Sequence, residues 1–163
     1  SFALLDFVPA LCRPNIFPTL LAMTTTQPID TEQTTPGPRT PFEWLGGEDR
    51  VRVLVDRFYD LMDLEPGYAE LRASHGSTLD DARQKLFWFL CGWLGGPDHY
   101  VQRFGHPRLR MRHMPFSIGI TERDQWLACM DQAMSETGVD AELRTRLNES
   151  FYKTADWMRN RNV

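Results

Sequence analysis

Apolar residues recur at helical spacing along most of the chain after Pro41. In the first such segment they are Val51, Leu54, Val55, Phe58, Tyr59 and Met62. Steps of three and four positions place these side chains on one face of a helix. We predict that this helix ends before Pro66-Gly67, because proline cannot continue a helix. A short turn or loop is expected to follow through about His75.

Three more amphipathic helices are predicted downstream. Their apolar stripes run from Leu79 to Trp93, from Trp126 to Thr137 and from Leu143 to Met158. Glycines at the ends of the first two stripes, in Gly95-Gly96-Pro97 and at Gly138, favour helix termination. Short polar side chains before each stripe can accept hydrogen bonds from the first backbone amides. The predicted caps are Thr78, Thr121 and Asp140.

The segment 98–112 shows no clear periodicity and is rich in arginine. Pro107 breaks any long helix here, so only a short helix is expected before His113, and Pro115 ends it. No stretch alternates in the manner of a strand, and no repeat of 20–50 residues is present. The sequence therefore predicts an all-α fold.

Composition and charge exclude several classes of function. The chain has 163 residues and a net charge of −4, which favours one domain and argues against nucleic-acid binding. It has no apolar run of about 18 residues that would span a membrane. The cysteines are odd in number and form no CxxC pair, so a reducing compartment, the cytoplasm, is predicted. They are Cys12, Cys91 and Cys129.

The first 40 residues differ from the rest. Residues 24–40 are rich in Thr, Gln, Pro and Gly, a composition typical of disorder. We therefore expect residues 1–40 to be a disordered or non-native extension and residues 41–163 to be the folded domain. Met23 is a plausible natural start, so residues 1–22 are expected to lie outside the working protein. A secretory signal is disfavoured, because Asp6 interrupts the only early apolar segment.

Candidate chemistry is concentrated between Gly105 and Phe116. His113 lies among apolar side chains and is flanked by Arg110 and Arg112. An imidazole, apolar walls and cations at the edge are what a haem requires on its proximal side. The alternative is a histidine that is simply satisfied within the core or at the surface, and the spacing alone leaves both open.

A zinc site formed by three evenly spaced histidines is disfavoured. His99, His106 and His113 are seven residues apart, but Pro107 breaks the helix that would align them. No cysteine or acidic residue stands at ligand spacing beside them.

Four segments together resemble the truncated haemoglobins, specifically group II. The resemblance covers about Pro41 to Arg161. The matching segments, in chain order, are Arg57-Phe58-Tyr59, Gly95-Gly96-Pro97, Gly105 to Phe116, and Glu122-Arg123-Asp124 with Trp126. This resemblance implies a shortened globin fold, two helices packed over two around a haem.

The resemblance also implies the residues that hold haem b. His113 would be the axial ligand of the iron, and Arg112 and Lys85 would pair with the propionates. Apolar contacts to the cofactor would come from Leu86, Met111, Met114 and Phe116.

On the distal side the resemblance implies two hydrogen-bond donors. Tyr59 and Trp126 would donate to a bound ligand, which would slow the release of dioxygen. Ala82 would face the iron without a polar group. Either His75 or Ser74 would occupy the haem edge, and His75 would be a third donor. Without the resemblance, ordinary core positions are the favoured interpretation of Tyr59 and Trp126.

Three functions follow from these predictions. The first is a globin that reversibly binds, stores or transports dioxygen and binds related ligands such as nitric oxide. The second is a haem enzyme, a nitric oxide dioxygenase or peroxidase, with a separate reductase, since no flavin or nicotinamide motif is present. The third is a helical interaction domain without cofactor. A monomer or a homodimer is compatible with the sequence.

Overall fold

The computed structural model describes residues 38–162, and within that range the chain forms eight α-helices and no strand. The helices are α1 (Pro41–Leu45), α2 (Glu48–Leu64), α3 (Ala69–Ala73), α4 (Asp80–Trp93), α5 (His99–Phe104), α6 (Leu109–His113), α7 (Ile120–Glu136) and α8 (Ala141–Met158). A 3-10 turn, Pro66–Tyr68, joins α2 to α3. The all-α prediction is confirmed. Predictions on residues 1–37, including the start at Met23, lie outside the described residues.

The four long helices bury the predicted apolar stripes. α2 packs against α4 and α7, and α7 packs along α8. Their inward residues form one core, in which Phe58, Tyr59 and Met130 are almost fully buried. Burial of these stripes stabilises the helices far more than the intrinsic helix propensity of their residues does. No helix in the described part of the chain is long and apolar enough to cross a bilayer.

Of the three predicted caps, only the third is confirmed. The Asp140 carboxylate accepts from the backbone amides of Glu142 and Leu143, at 3.0 and 3.1 Å. Thr78 is not a cap, because α4 begins at Asp80 with Leu79 at its N-cap and no capping side chain. The charges of the acidic residues in its first turn stabilise this end of α4 instead.

The prediction for Thr121 is also wrong. α7 begins one residue earlier, at Ile120, so Thr121 lies inside the helix. The Glu122 carboxylate accepts from the backbone amide of Gly119 at 2.8 Å. The glutamate half of a capping box therefore stabilises this end without a hydroxyl partner.

The segment after α4 is more regular than predicted. His99–Phe104 forms α5, which periodicity missed because only Tyr100 is buried in this helix of six residues. The rest of the prediction is confirmed. The chain is not helical at Pro107, and the short α6 ends at His113.

Glycines end α4 as predicted. Gly95 has a φ of +96°, and the Gly96 amide donates to the Cys91 carbonyl at 2.8 Å, a pattern typical of helix C-termini. Helix α1 packs directly on this turn. A Cβ at Gly96 would lie 2.5 Å from the Phe42 ring, so any larger residue at this position would force the Phe42 side chain to shift.

Candidate functional site

His113 is the last residue of α6 and is buried, with 1% of its surface exposed. Its Nδ1 lies 2.7 Å from the Leu109 carbonyl oxygen. A carbonyl only accepts, so the proton is on Nδ1 and the neutral ring carries its lone pair on Nε2. Burial lowers the pKa of His113 below its ordinary value of 6.5. The side chain is therefore a neutral imidazole at pH 7, as required of a metal ligand.

A residue after the last helix holds the segment that carries His113. The Asn160 side-chain amide donates to the carbonyls of His113 and Phe116, at 3.1 and 2.7 Å. Its oxygen accepts from the Ile118 amide at 3.0 Å. Sequence reasoning missed Asn160, because a single polar residue 47 positions after His113 gives no local signal.

Tyr59 lies in the middle of α2 and is 1% exposed. Its ring meets Phe58 edge-on at 5.0 Å between centroids, and burial raises the pKa of its hydroxyl. Nothing within the described residues accepts a hydrogen bond from that hydroxyl. Buried donors without an acceptor are rare in folded proteins, so the hydroxyl of Tyr59 is a donor available to a ligand.

Trp126 presents a second donor of this kind. It lies on α7, is 5% exposed, and packs against Phe58 and Phe151 at 5.4 and 5.2 Å between centroids. Its indole N–H has no acceptor over residues 38–162. Because Phe58 contacts both Tyr59 and Trp126, the two donors belong to one aromatic cluster.

The ring of His75 packs against that of Tyr59, and Ser74 bonds to the backbone. The His75 ring is edge-on to the Tyr59 ring, with centroids 6.0 Å apart at 81°, whereas the Ser74 hydroxyl donates to the Leu71 carbonyl at 2.7 Å. Nδ1 of His75 donates to the same carbonyl at 2.9 Å. Burial lowers the pKa of His75, so its neutral ring presents the Nε2 lone pair, an acceptor.

Helix α4 contributes apolar side chains and one cation. Ala82 and Leu86 are buried, 5% and 1% exposed, and neither can form a side-chain hydrogen bond. Lys85 is 8% exposed. Its ammonium donates to Asp81 at 2.7 Å and lies 5.6 Å from the centroid of the Phe104 ring.

Arg112 is the second cation predicted for the site. Its guanidinium donates to the Tyr100 hydroxyl at 3.0 Å, and Tyr100 is buried. Sequence reasoning missed Tyr100, since it lies on the helix that periodicity did not detect. Phe116 is half-buried with its ring centroid 6.5 Å from that of His113.

The predicted residues therefore fall into two groups. The first, on α2, α7 and the turn after α3, contains Tyr59, Trp126 and His75. The second, on and around α6, contains His113, Arg112 and Phe116. Met111 and Met114 are 60% and 59% exposed, so their contact with a cofactor stays a prediction.

The residues present fit a haem. The neutral imidazole of His113 can act as a metal ligand, two cations can pair with carboxylates, and two buried donors lack an acceptor among the described residues. With groups of these kinds a protein binds haem and controls which small ligands bind to the iron.

Comparison with known proteins identifies the family. The model of the bacterial-like globin family matches residues 40–160. A group 2 truncated hemoglobin of Bacillus subtilis is 38% identical over 120 residues, which are 74% of this chain and 88% of that protein.

Solved structures agree. The cold-adapted truncated hemoglobin of Pseudoalteromonas haloplanktis superposes with a TM-score of 0.74 at 44% identity, covering 76% of this chain and all of that one. The group II 2-on-2 hemoglobin of Agrobacterium tumefaciens superposes with a TM-score of 0.74 at 42% identity, covering 78% of this chain and 98% of that one. The fold predicted from the sequence is thus confirmed. The chain belongs to the bacterial-like globins, and within them to the group II truncated haemoglobins, and its cofactor is haem b.

Proposed function

We propose that this globin reversibly binds dioxygen and related diatomic ligands such as nitric oxide, with His113 as the axial ligand of the haem iron. The observation that carries the proposal is the pair of buried donors on Tyr59 and Trp126. Neither has an acceptor in the part of the chain that the structure describes. A bound ligand with partial negative charge would satisfy both.

The proposed binding of the iron by His113 depends on the tautomer of its ring. The bond from its Nδ1–H to the Leu109 carbonyl orients the ring and leaves Nε2 for the metal, the arrangement typical of ligating histidines. Asn160 fixes the backbone at His113. A bound ferrous haem would supply an iron site for a diatomic ligand that carries partial negative charge.

Other residues would hold the cofactor in place. Arg112 and Lys85 supply positive charge for the two propionates, and both are already oriented, by Tyr100 and Asp81. Leu86 and Phe116, with Met111 and Met114, would supply apolar contacts. Side chains held in place before binding lose little entropy when the cofactor arrives.

The distal side would hold the ligand through two hydrogen bonds. A hydrogen bond to a charged acceptor contributes about 1.5–3 kcal/mol, and dissociation must break both. Ala82 contributes no donor. Slow release favours storage, sensing or redox chemistry over rapid oxygen transport.

His75 would act differently from Tyr59 and Trp126. Because its proton is on Nδ1, the neutral ring accepts rather than donates at Nε2. The third donor expected from the sequence would require a proton on Nε2. A doubly protonated ring is disfavoured at pH 7 by the lowered pKa, and the other neutral tautomer would give up the bond to the Leu71 carbonyl.

We also propose a cytoplasmic location. Cys91 and Cys129 are free and buried, which suits a reducing compartment. A reductase would keep the haem ferrous, and the sequence itself shows no flavin or nicotinamide motif.

The proposal is tested by dioxygen dissociation rates, measured by stopped flow on haem-loaded Tyr59→Phe and Trp126→Phe. Each variant loses one donor, so each should release dioxygen roughly tenfold faster or more. Tyr68→Phe is the matched control, because its hydroxyl donates to Gln132 at 2.6 Å, and its rate should stay unchanged. Unaltered rates in both distal variants would overturn the donor assignment.

A further inference from the structure

Three potential metal ligands converge from three helices. Glu48 begins α2, Cys91 lies in α4 and His99 begins α5. A carboxylate oxygen, the thiol sulfur and a ring nitrogen all lie within 4.8 Å of one another. His99 Nε2 and Glu48 Oε1 are 2.5 Å apart.

We propose that Glu48, Cys91 and His99 form a binding site for one zinc ion, with water as the fourth ligand. Thiolate, imidazole and carboxylate are the three side-chain ligands that zinc takes in proteins. This mixture of soft and harder ligands excludes calcium and magnesium, which prefer oxygen alone.

Small side-chain movements suffice to close the site. Zinc–ligand distances of about 2.0–2.3 Å in a tetrahedron separate neighbouring ligand atoms by about 3.4 Å. The oxygen and nitrogen would therefore move slightly apart and the sulfur inward.

The three ligands run from the core to the surface. Cys91 is fully buried, whereas the side chains of His99 and Glu48 are 25% and 45% exposed. The ion can therefore enter past Glu48 and His99 and keep a water molecule on its outer side. A coordination position left to solvent is typical of zinc sites with three protein ligands.

Neighbouring side chains already orient the imidazole. Phe87 stacks on the His99 ring at 6.4 Å and 23°. The Arg52 guanidinium lies 3.7 Å from the centroid of the Phe87 ring. The same guanidinium donates a hydrogen bond to the Gln84 side chain at 3.1 Å. Fixed ligands of this kind strengthen metal binding.

Charge also balances at the site. Burial and the neighbouring Glu48 carboxylate raise the pKa of the Cys91 thiol to about 11, against a smaller effect of Arg52. The thiol is thus protonated without metal and passes its proton to solvent when the sulfur coordinates. The thiolate and the carboxylate then carry two negative charges, which match the dication.

The site is separate from the distal residues of the haem pocket. Glu48 precedes Tyr59 by eleven residues on α2, roughly 16 Å along the helix. A bound ion would tie α5 to α2 and α4, next to Tyr100, the partner of Arg112. We therefore expect zinc to stabilise this corner of the fold.

Sequence spacing had no means of detecting these ligands. Of the three evenly spaced histidines, His106 is exposed, and its Nδ1 accepts from the Arg108 amide at 3.3 Å. The other two candidate ligands, Glu48 and Cys91, reach His99 from other helices, which spacing along the chain cannot show.

The test uses the haem-loaded full chain after treatment with a chelator. Zinc chloride is titrated by calorimetry, and the zinc environment is measured by X-ray absorption at the zinc edge. We expect one zinc per chain, with one sulfur at about 2.3 Å and nitrogen or oxygen at about 2.0 Å. Zinc should raise the melting temperature, and magnesium should not.

Variants assign the ligands. Cys91→Ala and His99→Gln should each weaken zinc binding at least tenfold, while Cys12→Ala, Cys129→Ala and His106→Gln should not. An unchanged Soret band shows that each variant retains its fold. The proposal is overturned if the wild type takes up no zinc, if its bound zinc has no sulfur neighbour, or if Cys91→Ala binds zinc as tightly as the wild type. X-ray absorption detects the sulfur neighbour of zinc in the wild type alone. It therefore tests the proposal even where a variant fails to fold.

Discussion

His75 and His113 make the same hydrogen bond: in each, Nδ1–H donates to the carbonyl of the residue four positions earlier, at 2.9 and 2.7 Å. Both rings are buried, and burial lowers the pKa of both below 6.5. Each therefore presents an Nε2 lone pair at neutral pH. One lies on the turn after α3 and the other at the end of α6, so the fold provides two neutral imidazoles with one tautomer.

The lowered pKa of His75 makes stability depend on pH. Above pH 6.5 the ring is neutral in both the folded and the unfolded chain. As the pH falls from 6.5 through the folded pKa, the unfolded chain binds the proton first, so the free energy of unfolding falls by at most about 1.4 kcal/mol per pH unit. Urea unfolding of wild type and His75→Gln at pH 7, 6 and 5 should show a shallower dependence in the variant.

His113 remains in both proteins, so the difference between the two slopes isolates His75. Equal slopes would show that His75 is not held neutral by the fold.

The side chain of Arg112 should slow the loss of haem, whereas that of Arg110, on the same helix, should have no effect on it. Arg110 is exposed, donates to the Trp157 carbonyl and lies 5.0 Å from the Trp157 ring centroid. If Arg112 pairs with a propionate as proposed, Arg112→Gln would lose that charged hydrogen bond and should release haem about tenfold faster. The measurement is haem transfer to an acceptor apoprotein. Equal rates for Arg112→Gln and Arg110→Gln would contradict the propionate role.

Gly96→Ala should destabilise the protein. Its new methyl group would lie 2.5 Å from the Phe42 ring, and such overpacking costs typically 1–3 kcal/mol. Gly67→Ala is the matched control, because nothing lies within 4 Å of a Cβ there. Thermal unfolding should show a lower midpoint for Gly96→Ala alone. A wild-type midpoint for Gly96→Ala would mean that α1 does not pack on this turn.

The elements that the sequence predicted well are those with long apolar stripes. The helix through Tyr59 and the breaks at Gly95-Gly96 and Gly138 depend on local spacing, which a sequence displays directly. Helix starts were harder to predict. Thr78 and Thr121 resemble caps, but packing starts each helix one or two residues away, at Asp80 and Ile120.

The sequence could not predict which distant residues contact the candidate site. That Tyr59 and Trp126 find no acceptor among residues 38–162 becomes evident only when every neighbouring group is in place. Asn160 reaches His113 across 47 residues, and Tyr100 lies on a helix too short to show a period. Hydrogen bonds between such distant segments leave no pattern in the chain.

The axial role of His113 is tested most directly by haem titration of the wild type and His113→Gly, followed by absorption, with His75→Gln as control. We predict that the wild type and His75→Gln bind one haem per chain with a sharp Soret band. His113→Gly should lose or shift that band, and added imidazole should restore it. A wild-type spectrum in His113→Gly, insensitive to imidazole, would contradict the account.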